Sequence, residues 1–189
     1  MKIGILGGTF NPIHIGHLIL AEEAREKLSL DKILFVPTYL PPHKEDCGIA
    51  PAKARLAMVK LAIAGNRYFS VSDKETARNG RSYTIDTIRE LKKEHPADEL
   101  YFIIGSDLLK YLEDWKDWDE IAGMVKFIVA TRPGYPLEKI PSYIHTVAIR
   151  AVDVSGFQIR TCIKENRSFR YLVSDAVYKY ITENKLYEN

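Results

Sequence analysis

The sequence predicts an α/β fold, a doubly wound and mostly parallel sheet with helices on both faces. Apolar runs of strand length alternate with segments of helical periodicity. The central runs, KILFV at 32–36 and LYFIIG at 100–105, are almost entirely apolar, as expected for strands buried on both faces. The 189 residues contain no internal repeat, low-complexity tract or linker, so we predict a single domain spanning 1–189.

Each element follows from its local pattern. Residues 2–6 are a short apolar run that predicts the first strand, and residues 16–28 place apolar side chains at helical spacing. Further strands are predicted at 32–36, 68–72, 100–105, 124–134 and 145–152, and further helices at 52–64, within 81–93, around 157–165 and around 174–183. The proline-rich stretch 37–51 is expected to be a loop that covers a site.

Composition excludes several classes of protein. Hydrophobic residues make up 46% of the chain and charged residues 28%, and the net charge is +2. This near-neutral balance, without basic runs, argues against a nucleic-acid-binding protein. No apolar stretch reaches the roughly 20 residues of a membrane span, and the apolar run near Met1 is too short for a signal peptide. Cys47 and Cys162 do not form a CxxC pair, which favours reduced thiols and a cytoplasmic location.

The polar residues of interest follow the ends of the predicted strands. In parallel sheets, ligands bind beyond the carboxyl ends of the strands. The segments or residues that come next there are GGTFNPIHIGH, PTYLPPHK, Ser106 with Asp107, Arg132, and the group Asp153, Ser155, Gly156 and Arg160. The sequence therefore predicts a polar site along one edge of the sheet.

The loop after the first strand predicts a phosphate cradle. Gly7 and Gly8 allow a sharp turn and a close approach to a ligand. A helix is expected to begin near His14, and its dipole and N–H groups favour an anion. His14 and His17 share one face of its first turn. The loop carries none of the patterns GxGxxG, GxxxxGK[ST], HExxH or GxSxG. A metal-binding role or a packing role for the two histidines remains an alternative.

The segment GGTFNPIHIGH, residues 7–17, resembles the (H/T)xGH signature of the nucleotidylyltransferase superfamily. In its full form it is similar to the bacterial nicotinate-nucleotide adenylyltransferase family. Further matching segments are PPHK (41–44), SYTIDT (82–87), IIGSD (103–107), DWKDWDEI (114–121), ATRPGY (130–135) and RYLVSDAVYKYI (170–181). The resemblance implies a Rossmann-like nucleotidylyltransferase fold. It implies transfer of AMP from ATP to nicotinate mononucleotide in NAD biosynthesis, with Mg²⁺ held mainly by the ATP phosphates and no metal ligand from the protein.

The resemblance also implies roles for individual residues. Catalysis is assigned to His14, His17 and Arg160, with His17 at the α-phosphate. Binding of ATP and its phosphates is assigned to Gly7, Gly8, Thr9, Phe10, Lys44, Asp107, Arg132 and Ser155. Simpler alternatives remain: Lys44 could be a solvated loop residue, Arg132 and Arg160 surface ion-pair residues, and Asp107 a helix N-cap.

The nicotinate side of the site is expected around two aromatic motifs. The resemblance implies that Trp115 stacks on the nicotinate ring, that Thr84 and neighbouring N–H groups hold its carboxylate, and that Tyr83 lines the pocket. A carboxylate needs only donors, whereas an amide also needs an acceptor. Trp118 is expected to be a packing residue, and Tyr83 could be one as well.

One motif departs from the family pattern. The family has a second phosphate-binding signature resembling I-S-S-T-x-I-R, and the stretch here is V-S-G-F-Q-I-R, residues 154–160. Ser155 as a helix N-cap and Arg160 as a phosphate partner carry over. Gly156 and Phe157 lack the hydroxyl groups of the pattern, which leaves the remaining hydroxyl contacts open.

Other functions compete with this interpretation. A related transferase could act on nicotinamide mononucleotide, phosphopantetheine or a CTP-dependent alcohol phosphate, although the DWKDW and SYTIDT matches argue against the last two. A non-catalytic nucleotide-binding module would keep the cradle without the activity. The aromatic residues Phe169, Tyr171, Tyr178, Tyr180 and Tyr187 could form the interface of a homodimer or cover the last strand.

Overall fold

A parallel six-stranded sheet forms the centre of the molecule. The computed structural model describes residues 1–41, 48–78, 80–131, 141, 144–150 and 152–188, with the side chain of residue 107 outside this description. The strands are β1 (Lys2–Gly8), β2 (Lys32–Pro37), β3 (Phe69–Val71), β4 (Glu99–Gly105), β5 (Lys126–Thr131) and β6 (Ile144–Ala148). Their spatial order is β3-β2-β1-β4-β5-β6, and every pairing between them is parallel. The predicted doubly wound α/β fold is confirmed.

Seven helices and one 3-10 helix surround the sheet in the described part of the chain. They are α1 (Ile15–Lys27), α2 (Ala52–Ile63), α3 (Lys74–Arg78), α4 (Thr84–Glu94), the 3-10 helix (Ser106–Asp114), α5 (Trp118–Met124), α6 (Gly156–Lys164) and α7 (Asp175–Glu183). The sequence missed α3, α5 and the 3-10 helix, because the first two span under two turns and the third lacks the 3.6-residue period. The predicted last strand stops early, at Ala148, which pairs with the final residue of β5.

Side chains of the strands alternate between two apolar layers. In β1, Ile3 and Ile5 join a cluster with α4, α5 and the 3-10 helix, whereas Leu6 joins the opposite cluster with α1, α2, α6 and α7. Both faces of the sheet are therefore buried, which explains the near-continuous apolar character of the central strands. None of the helices in the ranges given above is long and apolar enough to cross a membrane.

The strand order indicates where along the sheet a ligand can bind. β1 lies between β2 and β4, and the order of the strands reverses there. Such a switch point opens a crevice beyond the carboxyl ends of the two central strands. Those ends are Gly8 in β1 and Gly105 in β4. The loop after β1 and the 3-10 helix after β4 therefore border the crevice.

The aromatic residues near the carboxyl terminus mostly pack inward. Phe169 is buried, and Tyr178, Tyr180 and Tyr187 pack against the cluster that includes α6 and α7. Tyr171 differs, with 77% of its surface exposed. Covering of the core therefore accounts for four of these five residues, and the homodimer stays a prediction. Cys162 is a free thiol, as predicted, and Cys47 lies outside the described residues.

A buried carboxylate joins α1 to the segment after β6. Glu23 is only 3% exposed, and its carboxylate accepts hydrogen bonds from Lys27 Nζ at 2.9 Å and from the backbone N–H of Arg150 at 3.1 Å. The guanidinium of Arg150 donates to the same carboxylate. Hydrogen bonds from Arg150 and Lys27 lower the pKa of Glu23 from 4.5 to about 2.

This depressed pKa predicts a pH-dependent contribution to stability. The contribution of Glu23 is present above the unfolded pKa of 4.5 and is lost as the pH falls toward 2. Glu23→Gln should lower Tm at neutral pH, and the difference from the unsubstituted protein should shrink below pH 4.5. Thermal unfolding followed over this pH range measures it. Glu26→Gln, at an exposed position of the same helix, is the control, and a Tm difference independent of pH would contradict the prediction.

Candidate active site

Phe10 shapes the loop that follows β1. Its backbone adopts a left-handed conformation with φ of 46°, and its side chain is 2% exposed. The ring lies under Gly8, where an added Cβ would come within 3.2 Å of it. The edge of the same ring contacts His17, with 5.0 Å between the ring centroids. Phe10 therefore supports the cradle with its side chain and lines it with its backbone.

The two histidines lie together at the start of α1, as the sequence predicts. His14 is the N-cap of α1, and the rings of His14 and His17 stack with centroids 3.7 Å apart. The backbone N–H of His14 donates to Nδ1 of His17 at 3.2 Å. Because Nδ1 accepts this hydrogen bond, the proton of the neutral ring lies on Nε2. His17 therefore offers an Nε2–H donor.

The helix terminus itself contributes less than the sequence indicates. The N–H of Ile15 donates to the carbonyl of Leu172 at 3.0 Å, and the N–H of His17 donates to the carbonyl of His14 at 2.9 Å. These two N–H groups are engaged within the protein. The dipole of α1 and the imidazole of His17 remain as features of this terminus that attract an anion.

Ser155 is the N-cap of α6, which confirms that part of the prediction. Its Oγ accepts from the N–H of Gln158 at 3.2 Å, and Gln158 Oε1 accepts from the N–H of Ser155 at 2.7 Å. The two residues form a capping box. The hydroxyl of Ser155 also donates a hydrogen bond to Oε1 of Gln158 at 3.1 Å. The hydroxyl is thus engaged within the first turn of α6.

Gly156 lets α6 approach the loop after β1. A Cβ at this position would lie 2.7 Å from the backbone oxygen of Asn11, closer than real Cβ atoms come to backbone. Nη1 of Arg160 donates to the same oxygen at 2.7 Å. The departure from the family pattern at Gly156 therefore has a packing reason. Phe157, the other departure, is 70% exposed at the rim of the crevice.

These elements enclose a cavity of about 550 Å³, within the size range of small-molecule sites. Its lining residues are Thr9, Phe10, Asn11, Pro12, His14, His17, Gly48, Ile49, Ser155, Gly156, Phe157 and Arg160. The structure therefore brings together six of the predicted site residues, from the β1 loop, α1 and α6. Gly7 and Gly8 end β1 directly beside them.

One of the predicted nicotinate residues, Trp115, lines a different cavity. Trp115 contacts Phe102 and Phe127 edge-on, with centroid distances of 5.6 and 6.3 Å. Phe102 also reaches Gly7, where an added Cβ would lie 3.4 Å from its ring. The ring of Phe102 thus separates Trp115 from the phosphate cradle. Trp118 packs against Phe127 at 5.0 Å, as predicted.

The cavity at Trp115 is acidic. It measures about 670 Å³ and is lined by Glu113, Trp115, Asp117, Trp118, Asp119 and Glu120. Arg89 offsets part of this charge through Glu120 and Asp117. A carboxylate ligand would be repelled by these side chains. Tyr83 is the N-cap of α4 and Thr84 its first residue, and the N-terminus of a helix favours an anion. Lys116 Nζ lies 4.8 Å from the centroid of the Tyr83 ring.

Three predicted residues are not described in full. Lys44 and Arg132 lie outside the described residues, and so does the side chain of Asp107. The backbone of Asp107 is described, and it is the second residue of the 3-10 helix, whose N-cap is Gly105. Gly105 therefore occupies the N-cap position of this helix, and the role of Asp107 stays a prediction.

The sequence analysis missed two residues that build the cavity wall. The carboxamide of Asn11 donates to Gly48 O at 2.9 Å and accepts from the N–H of Ala50 at 3.0 Å. Arg55, in α2, is 1% exposed and donates to several backbone carbonyls beneath the site. A sequence signal was present, because Arg55 lies three and four residues before the buried Met58 and Val59, on the apolar stripe of the helix.

The carboxyl-terminal segment carries a buried phenol that packs against the core. The hydroxyl of Tyr187 is buried, and no hydrogen-bond partner for it lies among the residues described here. Burial raises the pKa of Tyr187, and the positive charges of Arg160 and Arg55 act in the opposite direction. The phenol of Tyr187 is thus within electrostatic reach of both guanidinium groups.

The chain is similar to known proteins along nearly its whole length. Residues 5–162 match the family described as cytidylyltransferase-like, and the chain belongs to this family. Among similar curated proteins, the probable nicotinate-nucleotide adenylyltransferase of Geobacter sulfurreducens is 43% identical over 99% of this chain and 98% of that protein. One from Thermus thermophilus is 44% identical over 99% of this chain and 100% of that protein.

Solved structures agree on the fold. Plasmodium falciparum nicotinic acid mononucleotide adenylyltransferase complexed with NaAD matches with a TM-score of 0.82 at 19% identity, covering 99% of this chain and 97% of that chain. A putative nicotinate-nucleotide adenylyltransferase from Vibrio parahaemolyticus matches with a TM-score of 0.74 at 19% identity, covering 100% of this chain and 96% of that chain. The Rossmann-like nucleotidylyltransferase fold implied by GGTFNPIHIGH is confirmed, as is the family resemblance.

Proposed function

We propose that the protein is a nicotinate-nucleotide adenylyltransferase, which transfers AMP from ATP to nicotinate mononucleotide and releases pyrophosphate. The observation that carries this proposal is similarity along the whole chain: relatives 43–45% identical over 99% of it bear that name. The product is nicotinate adenine dinucleotide, so the enzyme serves NAD biosynthesis. One catalytic domain, residues 1–189, carries the reaction.

The reaction requires the protein to position the two reactants and to stabilise the charge that develops in the transition state. A phosphate oxygen of nicotinate mononucleotide attacks the α-phosphorus of ATP, and the bond from that phosphorus to the pyrophosphate oxygen breaks. The attacking oxygen is already ionised near neutral pH, so no strong general base is needed. The barrier is lowered by alignment of the two reactants and by donors aimed at the developing charge.

The residues of the cradle supply such donors. His17 directs its Nε2–H to the α-phosphate, His14 supports a neighbouring phosphate, and Arg160 adds a positive charge. The backbone of Gly7, Gly8, Thr9 and Phe10 and the N-terminal turn of α6 at Ser155 line the nucleotide. Lys44, Arg132 and Asp107 complete the ATP site in this proposal. The fixed tautomer of His17 supports its role, since the donor needs no rearrangement before the reaction.

Mg²⁺ is proposed to accompany ATP, where it offsets phosphate charge. Within the described ranges, no three His, Cys, Asp or Glu side chains are grouped so that they could hold a metal ion. The rings of His14 and His17 stack on each other, an arrangement unsuited to a shared metal ion. The donor set therefore fits phosphates, and the metal would be held mainly by ATP itself.

The acid-specific part of the site is proposed at the start of α4. Thr84 and neighbouring N–H groups would hold the nicotinate carboxylate, Tyr83 would line the pocket, and Trp115 would stack on the ring. The amide of nicotinamide would place its N–H donors against the N–H and O–H donors of this site, where they would find no acceptor. We expect kcat/KM to be about 10- to 100-fold higher for the acid, because an unmet polar group costs about 1–3 kcal/mol.

The test measures pyrophosphate release with ATP and Mg²⁺, offering nicotinate mononucleotide and nicotinamide mononucleotide in parallel. Preference for the acid supports the proposal, and a chelator should abolish the release. Equal use, or preference for the amide, would keep the transferase and overturn the acid pocket. Release with neither, followed by release with phosphopantetheine, would indicate a related transferase. ATP binding without any turnover would indicate a non-catalytic nucleotide-binding module.

A further inference from the structure

The guanidinium of Arg55 joins three segments that surround the cradle. Its Nε donates to the carbonyl of Ala50 at 2.8 Å, and its Nη1 donates to Thr9 at 2.7 Å and Thr38 at 2.6 Å. Its Nη2 donates to the carbonyl of Tyr39 at 2.6 Å. One side chain thus fixes the loop after β1, the segment directly after β2 and the segment that leads into α2.

Burying the charged side chain of Arg55 costs more free energy than a purely packing role would justify. Arg55 is 1% exposed, and removing a charge from water is unfavourable unless its donors are well satisfied. An apolar side chain on the buried stripe of α2 would fill the space without that cost. The planar guanidinium presents five N–H donors in a fixed fork, so it can hold carbonyls from several segments at once. The geometry therefore suggests a role in holding the loops.

The bond to Thr9 sets the direction of a neighbouring N–H group. In a trans peptide, the C=O of one residue and the N–H of the next point in opposite directions. Since the carbonyl of Thr9 points down to Arg55, the N–H of Phe10 points away from α2. Thr9 and Phe10 both line the cavity above, so this N–H is directed toward the cradle.

The left-handed backbone of Phe10 needs such support. A bulky residue with φ of 46° is unfavourable and persists only where its surroundings hold it. Arg55 holds the peptide before Phe10, and Arg160 holds the carbonyl of Asn11 just after it. Two guanidinium groups therefore keep the loop in the conformation that forms the cradle.

Asn11 holds the same wall of the cavity from the other side. Its carboxamide bonds Gly48 and Ala50, while Arg55 bonds the carbonyl of Ala50. Gly48 and Ile49 line the cavity, so their position depends on both side chains. Arg55 and Asn11 thus connect the cavity wall formed by residues 48–50 to the loop after β1.

We propose that Arg55 is a positioning residue for ATP. It aims the N–H of Phe10 at the phosphates and fixes the wall formed by residues 48–50, without touching the substrate itself. The inference rests on the proposed function, because ATP is taken as the ligand of this cavity.

The test compares Arg55→Lys with the unsubstituted protein. A lysine ammonium has no fork and cannot reach all the carbonyls. We expect kcat/KM for ATP to fall about 10- to 100-fold, since small displacements of positioning groups have effects of this size. KM for nicotinate mononucleotide should stay within about threefold, because the proposed contact of its ring with Trp115 lies beyond Phe102. Calorimetry should show ATP binding weakened by a similar factor.

Two further variants separate positioning from stability. Glu23→Gln disturbs a buried charged side chain away from the cavity, so it should lower Tm and leave KM for ATP unchanged. Asn11→Ala should weaken ATP binding in the same direction as Arg55→Lys, and the double variant should lose less than the product of the two effects. If Arg55→Lys fails to fold, Asn11→Ala alone decides whether the wall must be held for ATP binding.

The outcomes distinguish this inference from the proposed function. If both variants fold and bind ATP with unchanged affinity, Arg55 is a stabilising residue only and the inference is wrong. If the unsubstituted protein shows no turnover with nicotinate mononucleotide, but Arg55→Lys weakens ATP binding, the proposed function fails and the role of Arg55 stands. Equal losses of affinity for ATP and for nicotinate mononucleotide would indicate general disruption and contradict positioning.

Discussion

Replacing His17 with alanine is expected to lower kcat by about 10²- to 10³-fold, the usual loss when one donor to a developing charge is removed. KM for ATP should change far less. The imidazole is fixed from three directions, by the N–H of His14 at 3.2 Å, by the stacked His14 ring and by the edge of Phe10. Its Nε2–H is therefore positioned before the substrate arrives.

The His17 variants are compared by steady-state kinetics with ATP varied. His17→Gln keeps an N–H donor of similar reach, so it should recover part of the lost kcat. His145→Ala removes an exposed histidine of β6 and is the matched control, expected to behave like the unsubstituted protein. If His17→Ala raised KM for ATP and left kcat within about threefold, His17 would be a binding residue and its assigned role would be wrong.

Replacing Arg160 with alanine is the other large expected loss, about 10²- to 10³-fold in kcat/KM for ATP. Arg160 lines the cavity and donates to the backbone oxygen of Asn11 at 2.7 Å. The substitution therefore removes a positive charge from the phosphate site and one of the two guanidinium groups that hold the loop. Both effects act on ATP.

Arg160→Lys separates these two contributions. The lysine keeps a positive charge but not the fork, so it should recover only part of kcat/KM. Arg167→Ala, at an exposed position just after α6, is the control and should leave the kinetics unchanged. If Arg160→Lys matched the unsubstituted protein, charge alone would account for the role of Arg160. If Arg160→Ala were fully active, the assignment of Arg160 as a catalytic residue would be wrong.

The parts that the sequence predicted are those governed by local pattern. Apolar runs such as residues 100–105 identify buried strands, because burial on both faces leaves no polar positions in them. The cradle was predictable because Gly7, Gly8, His14 and His17 are close in the chain, so their spacing already determines their arrangement.

The parts that the sequence did not predict depend on contacts between distant segments. Arg55 appears in the sequence as one more basic residue of a helix, and its bonds to Thr9 and Tyr39 exist only after the sheet has formed. The approach of Gly156 to Asn11 joins residues far apart in the chain. Such contacts carry no periodic signal, so pattern analysis cannot find them.

The contact between Gly156 and Asn11 limits how this sequence can change over evolution. The obstacle to a larger residue at 156 is a backbone oxygen, and no substitution at position 11 removes a backbone oxygen. A serine at position 156, as in the family pattern, can therefore be accommodated only together with a shift of the β1 loop or of α6. Such a shift would disturb the oxygen that Arg160 holds, so the intermediate would carry a weakened site. Gly156 is thus an entrenched residue: its replacement depends on earlier changes elsewhere in the chain.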